Sequence, residues 1–144
     1  MRILGLDYGS KTVGVAVSDP LGLTAQGVEI IRREKENHLR KTYSRIEELI
    51  EEYSVDLVVI GLPLNMDDSE GERAKLSREF GEGIERRTGL KVEFQDERLS
   101  SFEAEEEMAS LGIKRSDFKK HVDRIAAQII LEDYMRAHNI GANK

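Results

Sequence analysis

The sequence has no cysteine among its 144 residues, and its only histidines are His38, His121 and His138. Without cysteine the protein can form no disulfide bond, no thiolate zinc site and no cysteine nucleophile. Three histidines scattered this widely also argue against a metal centre built from imidazoles. A metal ion bound here would therefore be a hard cation with oxygen ligands.

The sequence also lacks a hydrophobic run long enough to cross a membrane. Residues 1–5 lead directly into a strand pattern that reaches the charged Asp7, which is unlike a cleaved signal peptide. We therefore expect a cytoplasmic protein without membrane association.

The composition, with 39% hydrophobic and 35% charged residues, is that of an ordinary globular chain. Its length predicts one domain, residues 1–144, with a hydrophobic core large enough to be stable without disulfides or a structural metal. The net charge of −6 argues against a coat protein that binds nucleic acid non-specifically. Basic residues nevertheless gather at 114–115, 119–120 and 124, so an acidic body can still carry a local phosphate-binding edge.

Hydrophobic periodicity predicts an α/β fold of five strands and four helices. Three strands come first, and residues 8–11 between the first two are typical of a hairpin turn, so these two strands are predicted to be antiparallel neighbours. Alternating β and α elements follow. This order predicts a mixed five-stranded sheet with helices on both faces. The predicted strands cover 2–8, 12–18, 27–32, 57–60 and 91–96, and the predicted helices cover 37–53, 72–88, 101–111 and 117–138.

Two carboxylates stand at predicted strand ends. Asp7 ends the first, apolar strand, where a carboxylate is costly to desolvate unless a partner such as a metal ion satisfies it. Glu97 lies at the tip of the last strand, and the carboxyl ends of parallel strands meet at one sheet edge. The alternatives are that Asp7 caps the hairpin turn and that Glu97 belongs to a solvated turn.

The last helix offers two candidate acids. Asp123 lies on the flank of the apolar stripe beside Ala126 and Ala127, whereas Asp133 lies nearer its middle. Periodicity alone leaves the choice between the two aspartates open. The stripe is formed by Phe118, Val122, Ile125, Ala126, Ile129 and Ile130.

Four segments together resemble the YqgF family, also called RuvX. They are residues 6–16 (LDYGSKTVGVA), 59–67 (VIGLPLNMD), 96–101 (DERLSS) and 123–131 (DRIAAQIIL), and they occur in the family's order. The resemblance spans nearly the whole chain. It implies a ribonuclease H-like fold and a nuclease similar to Holliday junction resolvases, with a role in processing the 5′ end of precursor 16S rRNA.

The resemblance also implies a catalytic site. Matched segment by segment, the family's three acidic positions fall on Asp7, Glu97 and Asp123, which favours Asp123 over Asp133. Three carboxylates suit one or two Mg²⁺ or Mn²⁺ ions, so the expected reaction is metal-dependent hydrolysis of a phosphodiester bond.

The expected partner is nucleic acid, either precursor rRNA or branched DNA. Affinity for a polyanion comes mainly from basic side chains, so Lys11, Arg98, Lys119 and Lys120 are the predicted phosphate contacts. A junction resolvase should be a symmetric dimer that cuts two strands alike. No long exposed apolar stripe indicates such a dimer here, so we expect a monomer or a weak homodimer.

Two other readings of the sequence remain. Actin-like and sugar-kinase-like domains also begin with a strand, an Asp-x-Gly turn and a second strand, but they need two such domains to close on a nucleotide. The same fold can also serve as a catalytically idle RNA-binding or scaffold module. The three acids argue against an idle module without demonstrating turnover.

Overall fold

The computed structural model describes residues 1–97 and 101–140. These residues form one five-stranded mixed sheet with helices on both faces, as predicted. No helix in the described part of the chain is long and apolar enough to cross a membrane. The elements are β1 (Ile3–Tyr8), β2 (Thr12–Ser18), β3 (Ala25–Arg32), α1 (Arg40–Glu52), β4 (Leu57–Pro63), α2 (Glu72–Thr88), β5 (Val92–Glu97), α3 (Ser101–Ser110), a 3₁₀ turn (Arg115–Asp117) and α4 (Phe118–Ala137).

The strand order is β3-β2-β1-β4-β5. The first three strands pair antiparallel, and β1, β4 and β5 pair parallel. All three parallel strands therefore end at the same edge of the sheet, where the predicted carboxylates lie.

The structure differs from the predicted boundaries by two or more residues at three elements. β3 begins at Ala25 rather than at residue 27, and α1 begins at Arg40 rather than at residue 37. β4 continues to Pro63 instead of ending at residue 60, because its pairing with β5 extends to the Pro63–Glu97 pair. Gly61 and Pro63 are weak strand formers, so only tertiary pairing extends this strand.

Side chains that alternate along the strands separate two apolar layers. On one face, Leu4 and Leu6 of β1 pack with residues of α1 and α2, including Ile46 and Phe80. On the opposite face, Ile3 of β1 packs under α4 together with further residues of the sheet and helix. That second layer comprises Ile3, Ala16, Ala25, Leu57, Val59, Ala127, Ile130, Leu131, Tyr134 and Met135.

The helix α4 is buried along two faces rather than along the single stripe predicted from periodicity. One face, with Leu131 and Tyr134, lies on the sheet, and the other, with Ile125, packs on Ala104 and Met108 of α3. The predicted stripe follows the face toward α3 and includes only part of the face that covers the sheet. A helix buried on two faces has apolar residues around most of its circumference, so its sequence shows no single apolar stripe.

Close contact of α4 with the sheet depends on a glycine in β2. A Cβ added at Gly14 would overlap the backbone carbonyl oxygen of Asp123. The obstacle is helix backbone, which cannot turn aside as a flexible side chain can. Gly14 therefore fixes how closely the first turns of α4 approach the sheet.

We predict that Gly14→Ala destabilises the protein by about 1–3 kcal/mol, the usual cost of overpacking a core. Gly71→Ala is the matched control, because Gly71 has a negative φ and its added Cβ would make only an ordinary contact with Asn65. Urea unfolding of both variants measures the difference. A Gly14→Ala variant as stable as the control would show that α4 is not held at this distance.

Candidate active site

Asp7 lies at the carboxyl end of β1 on the face that α4 covers. It pairs with Gly14 of the neighbouring β2, so these two residues share that face. Within the described residues, the hairpin turn is closed by a backbone hydrogen bond from Gly9 N to Thr12 O at 2.8 Å, and no hydrogen bond of the turn involves the Asp7 carboxyl. The structure therefore gives no support to the alternative in which Asp7 serves as a turn cap.

Glu97 reaches toward Asp7 across the strand that separates them. β4 lies between β1 and β5, and its Gly61 leaves a gap on the face toward α4. A Cβ at Gly61 would lie 2.8 Å from Glu97 Oε2 and 2.5 Å from Ile130 Cδ1. The missing side chain of Gly61 thus provides the space that the Glu97 carboxyl occupies.

Asp7 and Glu97 share a hydrogen bond between their carboxyl groups. Burial raises the pKa of Asp7 well above its ordinary value of 3.8, and the charge of Glu97, this hydrogen bond and the charge of Asp123 raise it further, while Arg73 opposes the rise. Burial also raises the pKa of Glu97, against the effect of the hydrogen bond from Asp7. Burying these two carboxyl groups side by side therefore makes their ionisation costly.

Asp123 enters the same site from the second turn of α4. Its backbone lies on Gly14, beside Asp7, and its Oδ2 accepts a hydrogen bond of 2.8 Å from Thr12 Oγ1. Its charge acts on both Asp7 and Glu97. The structure therefore brings together all three carboxylates named from the sequence.

Asp133 has a different environment. Its Oδ1 accepts a hydrogen bond of 2.9 Å from Arg136 Nη1, and 41% of its side chain is exposed. It lies more than two helical turns beyond Asp123 and belongs to a surface ion pair. The structure gives it no contact with Asp7 or Glu97.

The carboxylates suit a hard divalent cation by their chemistry. All the donors are oxygen atoms, and burial and the neighbouring carboxylates disfavour negative charges that a cation would neutralise. In the described part of the chain, no three acidic or histidine side chains are already spaced to hold one ion. Binding a cation therefore requires these side chains to move from their present positions.

Of the four residues predicted to contact phosphate, three are described by the structure, and all three are exposed. Lys11 is exposed in the turn that follows β1, and Lys119 and Lys120 are exposed about one helical turn before Asp123. Lys120 Nζ lies 3.5 Å from the carboxylate of Asp117. Arg98 lies outside the described residues.

The sequence analysis missed two arginines near Asp7. The guanidinium groups of Arg33 and Arg73 lie over the ring of Tyr8, with Cζ at 4.8 and 5.6 Å from the ring centroid. One follows β3 and the other lies in the first turn of α2, so both are remote from Tyr8 in sequence. A periodic pattern contains no signal for contacts of this kind.

Solved structures define the class of the fold. The chain is similar to Thermus thermophilus RuvC in complex with a Holliday junction substrate, with a TM-score of 0.61 and 14% identity over 97% of this chain and 98% of that one. It is also similar to the Fowlpox virus resolvase complex with Holliday junction DNA, with a TM-score of 0.57 and 16% identity over 96% and 99% of the two chains. The protein thus has the ribonuclease H-like fold that the sequence predicted.

Sequence relatives identify the family. The chain is 56% identical to a protein of Agathobacter rectalis over 94% of both chains, and 54% identical to one of Lachnospira eligens over 95% of this chain and 98% of that one. Both relatives are named "Putative pre-16S rRNA nuclease". A family model described as RuvX, Holliday junction resolvase, matches residues 1–137. The chain belongs to the RuvX family, and the predicted nuclease activity, hydrolysis of phosphodiester bonds, is confirmed.

We predict that Asp7→Asn is at least as stable as wild type at pH 7.5 in EDTA, because it removes a charge that burial and two carboxylates disfavour. A raised pKa in the folded protein means that the fold loses stability as pH rises from about 3.8 through the raised value. The advantage of the variant should therefore grow between pH 4.5 and pH 7.5.

Urea unfolding at both pH values, with Asp133→Asn as the control, measures this effect. The surface control should stay within about 0.5 kcal/mol of wild type at either pH. A variant less stable than wild type at pH 7.5 would mean that the Asp7 carboxylate stabilises the fold and is not under strain.

Proposed function

We propose that this nuclease uses Asp7, Glu97 and Asp123 to bind one or two Mg²⁺ or Mn²⁺ ions and cleaves the 5′ region of precursor 16S rRNA. The observation that carries the proposal is the convergence of the three carboxylates at one sheet edge, where two of them share a hydrogen bond. The names of the two relatives described above support the choice of substrate. A role on precursor rRNA also agrees with the expected cytoplasmic location.

Each carboxylate has a distinct support in this site. Asp7 is fixed by the pairing of β1 with both of its neighbours, and Glu97 is fixed by the end of β5 and the gap at Gly61. Asp123 is oriented by the hydroxyl of Thr12. A divalent cation held by these groups would activate a water molecule and stabilise the leaving oxygen of the cleaved strand.

The site must also bind the nucleic acid substrate, which is a polyanion. Lys11, in the turn after β1, and Lys119, one helical turn before Asp123, are exposed, and we propose that they contact phosphates together with Lys120 and Arg98. Lys120 would have to leave Asp117 to do so. These contacts would hold the strand while the carboxylates act on one of its phosphodiester bonds.

A second candidate substrate is the Holliday junction. The family model carries that description, which favours branched DNA as the alternative. The two substrates make different demands, because a resolvase should cut two strands symmetrically and act as a dimer. A third possibility, an idle RNA-binding module, would bind RNA without cleaving it.

We predict that Asp123→Asn lowers metal-dependent cleavage at least about 100-fold, because losing even an indirect partner of a metal site costs 10–100-fold. Asp133→Asn should keep nearly wild-type activity, since its carboxylate pairs with Arg136 at the surface. The substrates are an RNA with the 5′ extension of precursor 16S rRNA and a four-way DNA junction, each with Mg²⁺, with Mn²⁺ and with EDTA.

The results separate the candidate functions. Cleavage of the RNA alone supports the proposal, and cleavage of the junction alone supports the resolvase. Binding without cleavage under every metal condition supports the idle module. Equal losses in the two aspartate variants would contradict the assignment of Asp123 to the site.

A further inference from the structure

A cluster of two arginines and one glutamate lies against the two residues that directly follow Asp7. Arg33 Nη2 donates a hydrogen bond of 2.6 Å to the carbonyl oxygen of Gly9, and Arg73 Nη2 donates one of 3.4 Å to that of Tyr8. Both guanidinium groups also lie over the ring of Tyr8. The cluster thus lies at the carboxyl end of β1 on the face toward α1 and α2, and the charge of Arg73 acts on Asp7 from there.

The cluster carries more positive than negative charge. Glu36 forms an ion pair with Arg73, and its backbone carbonyl accepts a hydrogen bond of 3.0 Å from Arg33 Nε. Among the residues that the structure describes, no carboxylate forms an ion pair with Arg33, and its Nη1 is buried without a hydrogen-bond partner. A guanidinium with an unused donor beside a second guanidinium is complementary to an anion with several oxygens.

An aromatic stack holds these arginines in place. The ring of Tyr8 stacks on Phe80 with centroids 4.2 Å apart, and Phe80 stacks on Tyr43 at 5.3 Å. At the far end of the stack, Arg87 lies 4.6 Å from the centroid of Tyr43. Unlike Arg33, Arg87 forms an ion pair with a carboxylate, since its Nη1 lies 3.3 Å from Glu47 Oε1.

We propose that Arg33 and Arg73 bind a backbone phosphate of the nucleic acid strand next to the bond that is cleaved, and that Glu36 occupies this position until the substrate displaces it. The proposal rests on the proposed nuclease function, because it assigns a phosphate subsite to that same site. The phosphate would replace the Glu36 carboxylate as the partner of Arg73 and would accept two hydrogen bonds. It would also accept a hydrogen bond from the Arg33 donor that has no partner. Glu36 would then reduce the binding of single small anions more than that of a polyanion with many contacts.

Binding can be measured without cleavage, in EDTA, with a labelled RNA hairpin that has a single-stranded 5′ tail. Each lost phosphate contact reduces the slope of log affinity against log salt by about one. We expect Arg33→Ala and Arg73→Ala each to show this smaller slope and about tenfold weaker binding at 0.1 M salt. Arg87→Ala is the control, because it loses a cation–π contact and an ion pair of the same kind at the other end of the stack.

A further variant separates phosphate binding from a disturbed structure. Glu36→Gln removes the competing charge with little change of shape, so binding should become several-fold tighter. Damage to the cluster would instead weaken binding in the glutamate and arginine variants alike. Wild-type slopes in both arginine variants, or weaker binding by Glu36→Gln, would overturn the inference.

Cleavage by the wild-type protein distinguishes this inference from the proposed function. Reduced slopes in the arginine variants together with no metal-dependent cleavage would contradict the proposed function and leave the phosphate subsite standing. Unchanged slopes together with normal cleavage of the RNA would contradict the subsite alone.

Discussion

The proposed active site depends on how closely α4 can approach the sheet on either side of Asp7. Gly14 on β2 admits the backbone of Asp123, and Gly61 on β4 admits the carboxyl of Glu97. Both glycines lie on strands adjacent to β1, so each opens one side of the aspartate. Larger residues at these positions would separate the carboxylates by the width of a side chain.

Bringing the carboxylates together has an electrostatic cost that the fold only partly offsets. Burial raises the pKa values of Asp7 and Glu97, and the charges of neighbouring carboxylates raise them further. Arg73 adds a positive charge near Asp7 while it contacts the backbone of Tyr8. A site that is costly without a ligand is one that gains strongly from binding a cation.

Sequence patterns predicted the element order, the mixed sheet and the approach of Asp7 and Glu97, because strand ends and alternation are local signals. They did not decide between Asp123 and Asp133, since α4 is buried on two faces and its apolar stripe is ambiguous. The resemblance to a family made that choice, and the hydrogen bond from Thr12 now gives it a structural reason. The contacts of Arg33 with Tyr8 join distant parts of the chain, so no local pattern could indicate them.

The most direct test of this account is a crystal structure of the protein soaked in Mn²⁺, with the ion located by its anomalous scattering. The account predicts a peak bound by oxygen atoms of Asp7 and Glu97 at about 2.0–2.4 Å, with Asp123 beside it and the hydrogen bond between the first two carboxyls broken. A structure without a peak at this site, or with the Asp7–Glu97 hydrogen bond intact in saturating Mn²⁺, would contradict it.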